Sequence, residues 1–115
     1  MRSEDDRALL EDMRANIGYA REFIGEKTFE EFAASRLTFY ATTRALEIIS
    51  EASRHLSEDL KRRRPSIDWV AVRDAGNVYR HAYEYVTEER IWDTATKSLF
   101  ALEAVVLEEL AKFRI

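Results

Sequence analysis

The residues with the most chemical reach stand between Trp69 and Tyr85, in the run W-V-A-V-R-D-A-G-N-V-Y-R-H-A-Y-E-Y. On a helix, Arg73, Asn77 and the Arg80/His81 pair recur about every four residues and share one face. A guanidinium grips a phosphate, and an amide orients it by hydrogen bonds. An imidazole titrates near neutral pH and can move a proton. Together they suit acid–base chemistry at a phosphate. The same residues also suit a plain helix end, where a cationic His complements the helix dipole and tyrosines bury their rings while wetting their hydroxyls.

Helices must carry this run, because helical spacing recurs along the chain. Leu9/Leu10, Met13, Ile17, Ala20 and Ile24 form one apolar stripe, with Ser3 and Asp6 as an N-terminal capping pair and Gly25 as the stop. Thr28-Phe29-Glu30-Glu31 is a capping box, and a second stripe runs from Leu37 through Tyr40/Ala41, Ala45, Ile48/Ile49 and Ala52 to Leu56. Ser57-Glu58-Asp59-Leu60 opens a short helix that Pro65 ends. Ile67-Asp68-Trp69 leads into the polar run. Thr87 caps a last stripe, Ile91, Ala95, Leu99, Leu102, Val106 and Leu110. The expected fold is all-α, a single domain over residues 1–115. It is an up-and-down bundle of four main helices with one or two short extra ones.

Composition agrees. The 115 residues include only 3 Gly and 1 Pro, too few breakers for a turn-rich sheet fold. Hydrophobic residues make up 46%, enough for a core. With no Cys and 2 His, neither a disulfide framework nor a cysteine zinc site can form, and no metal or cofactor is expected. The acidic N-terminus is unlike a signal peptide, and no window has the apolar length of a membrane span, so a cytoplasmic location is expected. Net charge is −4, which taken whole argues against nucleic acid. Its distribution argues otherwise. Residues 61–81 hold six Lys/Arg against two acids, net +4; the other 94 residues hold 12 basic against 20 acidic, net −8. A local positive segment attracts phosphate while the acidic remainder limits indiscriminate binding.

The run Gly76-Asn77-Val78-Tyr79-Arg80-His81-Ala82-Tyr83 resembles the signature of HepT-like toxins of the HEPN superfamily, Arg-Asn-x-x-x-His-x-Tyr. Tyr40 to Ala52 resembles the family's second helix, and Ile67-Asp68-Trp69 its Ile-Pro-Trp approach to the motif helix. The three segments stand in the family's order and span nearly the whole chain. The resemblance implies a helical homodimer with motif helices lining a shared cleft, and metal-independent cleavage of RNA. It also implies a toxin–antitoxin pair of type VII character. Its antitoxin is an MNT-type minimal nucleotidyltransferase that attaches AMP to the motif tyrosine, here Tyr83. In that chemistry the 2′-OH is the internal nucleophile, His81 moves a proton, Asn77 holds the phosphate or orients His81, and an arginine stabilises the phosphorane charge.

The family arginine falls at position 76, where this chain has Gly76. Arg73 and Arg80 both miss the family spacing to His81. Either cleavage is lost and the chain is a non-catalytic subunit that binds and regulates a nucleotidyltransferase, or Arg80 substitutes. Helical side chains lean toward the N-terminus, so Arg80 is the better placed to reach over Gly76. Arg73, Arg44 and Glu47 are secondary candidates, the latter two reading first as a structural ion pair and second as groups facing the motif across the bundle. Lys61, Arg62, Arg63 and Arg64 read either as an RNA-phosphate patch or as a solvated, dipole-matched helix end. A plain helical interaction module is the blandest alternative.

Overall fold

The computed structural model describes residues 3–81 and 87–113. Among these described residues seven α-helices follow one another: α1 (Ser3–Ile24), α2 (Phe29–Ala34), α3 (Arg36–Arg54), α4 (Glu58–Arg63), α5 (Trp69–His81), α6 (Glu88–Asp93) and α7 (Leu99–Ala111). A π-helical turn, Thr94–Ser98, joins α6 to α7, so the two run as one rod. There are thus four main helical units and two short helices, as expected, and no strand among the described residues.

Local chemistry sets the boundaries. Gly25 ends α1 at φ +53°, a left-handed conformation that glycine adopts without a Cβ penalty. At α2 the Thr28 hydroxyl accepts from the Glu31 N–H at 3.2 Å while the Glu31 carboxylate accepts from the Thr28 N–H at 2.8 Å. Ser35, Ser57 and Thr87 cap α3, α4 and α6 with the hydroxyl alone, each accepting from the N–H three residues on. Asp6 reaches a partner that the spacing did not point to. It is buried and accepts from Ser57 twice, from the N–H at 2.9 Å and from the hydroxyl at 2.6 Å. The start of α1 is thereby fastened to the start of α4, which fixes α1 antiparallel to α3.

The core follows the expected stripes except at the start of α3, where Leu37 and Tyr40 are exposed instead of buried. Leu10, Met13, Ile17 and Ala20 of α1 pack with Leu46 and Ile49 of α3 and with Ile91, Leu102 and Val106 of the C-terminal rod. Phe32, fully buried, meets Trp92 at 5.5 Å between ring centroids and pins α2 to α6. In cross-section α3 lies between α1 and α5, and α1 between α3 and α7. A largely apolar cleft of about 380 Å³ separates α5 from the C-terminal rod. Among the described residues no helix is long and apolar enough to cross a membrane.

Candidate functional site

Helix α5 carries the motif and is set by its contact with α3. Trp69, Val72, Ala75 and Tyr79 turn toward the core. Arg73, Asp74 and Asn77 lie on the exposed side. The indole of Trp69 donates to the Arg64 carbonyl at 3.0 Å, which anchors the first turn. Tyr79 is buried, and burial pushes its hydroxyl pKa up, partly offset by a hydrogen bond with Thr94. That bond ties the end of α5 to the π turn.

Gly76, at the family's arginine position, is buried. Its N–H donates to the Ser50 hydroxyl of α3 at 3.0 Å. The same hydroxyl lies 2.7 Å from the Val72 carbonyl and 2.9 Å from the Arg73 carbonyl, to which it donates. A side chain from α3 thus engages the hydrogen-bonding groups of α5 one turn apart. At this glycine the Ser50 side chain comes close to the α5 backbone. Nothing in the motif pointed to Ser50.

On the open side, Asn77 and Arg73 border a polar depression of about 340 Å³, completed by Asp74 and by Arg54 from α3. Arg73 pairs with Asp74 at 2.9 Å and Arg54 with Glu51 at 3.4 Å, the four side chains being about half exposed. His81 ends α5, one turn beyond Asn77. The side chains of Arg80 and His81, and Tyr83 entirely, lie outside the described residues.

The remaining candidates separate. Arg44 pairs with Glu47 at 3.0 Å, and both line a groove shared with Leu9 and Asp12 of α1. The basic run 61–64 splits in two. Arg63 and Arg64 reach Glu109 of α7 at 2.8 and 2.7 Å, and Arg64 also reaches Glu108 at 2.8 Å. Burial raises the pKa of the Glu109 carboxyl, but hydrogen bonds from Arg64, Arg63 and Lys112 outweigh it and hold the group at about 2. Lys61 instead points back to the Arg54 carbonyl at 3.5 Å, and Arg62 pairs with Asp59.

Comparison with known proteins gives one consistent result. The family model "Ribonuclease HepT-like" matches residues 13–109. A protein of Thermococcus cleftensis named "Probable ribonuclease HepT" is 36% identical over 94 residues, 82% of this chain and 86% of that protein. A "Putative RNase" of Methanocaldococcus jannaschii is 33% identical over 93 residues, 81% of this chain and 77% of its own. Another of that name, from Caldanaerobacter subterraneus subsp. tengcongensis, is 28% identical over 106 residues, 92% of this chain and 95% of its own. No solved structure matches the chain.

Proposed function

This chain belongs to the HepT-like ribonuclease family, and on that premise we propose that it is a metal-independent endoribonuclease. The observation that carries the reading is the exposed Asn77 at a polar depression on the motif helix, one turn before His81. The substrate's 2′-OH loses its proton, O2′ attacks the neighbouring phosphorus, and the P–O5′ bond breaks as the 5′-oxygen gains a proton. The products are a 2′,3′-cyclic phosphate and a 5′-OH. His81 moves the proton, Asn77 holds the phosphate, and Arg80 stabilises the charge of the phosphorane. The need for a 2′-OH restricts cleavage to RNA.

In this reading the protein acts in the cytoplasm as a homodimeric toxin. Its antitoxin is an MNT-type nucleotidyltransferase that attaches AMP to Tyr83, adding bulk and negative charge that repel RNA phosphates. Purified protein and total RNA test the enzyme. Cleavage leaving 2′,3′-cyclic phosphate ends, abolished in His81→Ala, supports it; intact RNA refutes it. Mass spectrometry after incubation with the neighbouring nucleotidyltransferase and ATP tests the modification, and AMP found elsewhere with Tyr83 untouched rejects that site.

Buried Gly76 favours a second reading, because the family's guanidinium is missing where Ser50 packs. Here the protein is a non-catalytic subunit that binds the nucleotidyltransferase. Intact RNA together with a stable complex of the two proteins selects it.

A further inference from the structure

We infer that Arg54 of α3 and Arg73 of α5 form a phosphate-binding subsite that holds the RNA strand beside the cleavage point. The inference rests on the ribonuclease reading and adds a substrate contact that the motif does not contain. Arg54 lies 19 positions upstream of Arg73 in a different helix, yet both border the same depression as Asn77. Two guanidiniums from separate helices, with an amide between them and the motif's end, match the two non-bridging oxygens of a phosphodiester. Lys61, whose ammonium reaches the Arg54 carbonyl, adds positive charge beside Arg54.

The spacing fits a strand rather than one anion. With a rise of about 1.5 Å per residue, Asn77 stands about 6 Å and Arg73 about 12 Å along the α5 axis from His81. A phosphate at Arg54 and Arg73 is therefore not the scissile one but a neighbour on the same strand. The carboxylates that now accompany these arginines, Glu51 and Asp74, are 47% and 61% exposed. Exposed pairs of this kind contribute about 1 kcal/mol at most, so a phosphate can replace the carboxylate as partner. Arg63 and Arg64 have no such freedom, being held by a carboxylate that is 2% exposed.

The test is binding of a fluorescein-labelled single-stranded RNA by anisotropy at several salt concentrations, in the His81→Ala background to keep the RNA whole. Arg54→Ala and Arg73→Ala are each expected to raise Kd about tenfold and to reduce the slope of log affinity against log salt by about 0.7. Arg54→Lys should recover most of the slope. Arg14→Ala, which removes an equally exposed arginine paired with Glu11 on α1, should change neither quantity. A DNA oligonucleotide of the same sequence should lose the same factor, since phosphate contacts do not read the 2′-OH. RNA binding with unchanged Kd and slope in both arginine variants overturns the subsite and leaves the ribonuclease reading standing. Absence of RNA binding by the parent protein overturns both.

Discussion

Arg63 and Arg64 meet a carboxylate, Glu109, that is 2% exposed, whereas Arg54 and Arg73 meet carboxylates that are about half exposed. The groups are the same, and their surroundings differ. Charge attraction grows as water is excluded, and a buried carboxylate left without partners is strongly unfavourable. At the α4–α7 junction these effects lock the last helix to the loop before the motif. On the α3–α5 face water screens the pairs, so the guanidiniums stay exchangeable. Burial, not residue type, divides structural arginines from those able to bind a ligand.

The sharpest way to break this contrast is to remove Glu109. Glu109→Ala should destabilise the fold by about 3 kcal/mol, the lower end of the range for a broken buried pair because the arginines left behind reach water. Urea unfolding measures it, and a loss under about 1 kcal/mol would show that the junction is no lock.

Acid titration probes the same group without removing its side chain. The folded pKa of Glu109, about 2, lies below its ordinary 4.5, so its contribution is full above about pH 4.5 and is lost as pH falls through 2. The shift corresponds to about 3 kcal/mol. The stability gap between wild type and Glu109→Gln should therefore be widest above pH 4.5 and close toward pH 2. A gap that stays constant over that window would contradict the assignment.

Ser50 lies between the two extremes, being neutral but buried. Ser50→Ala leaves the Gly76 N–H and two carbonyl contacts without their hydroxyl and should cost about 1–2 kcal/mol. RNA binding and cleavage by this variant report whether α5 also needs Ser50 for its position.

The smallest effect belongs to the exposed face. Arg73→Ala and Asp74→Ala should each change stability by less than about 0.5 kcal/mol, and a double-mutant cycle should give coupling near zero. Coupling above about 1 kcal/mol would make the pair structural and weaken its availability for phosphate.

Features governed by neighbouring residues were legible in the sequence. The capping box at Thr28 and Glu31, the caps at Ser57 and Thr87, and the stop at Gly25 all depend on groups within a turn of one another. The apolar stripes fixed four main helices and most of the core for the same reason, since helical periodicity is local. The contact of Asp6 with Ser57 was not legible, because the two lie 51 positions apart. The π turn at Thr94–Ser98 was not foreseen, as the stripe through Ala95 and Leu99 reads smoothly across it.

The candidate site divides along the same line. The sequence by itself determined the motif on α5, its phosphate-directed residue types and its likeness to HepT-like ribonucleases, because residues four apart on a helix must share a face. Only the tertiary structure decided that Ser50 fills the approach to Gly76, that Arg63 and Arg64 bind Glu109, and that Arg54 joins Arg73 and Asn77. Those outcomes depend on which helices meet and how much water remains between them, and no short stretch of sequence encodes either.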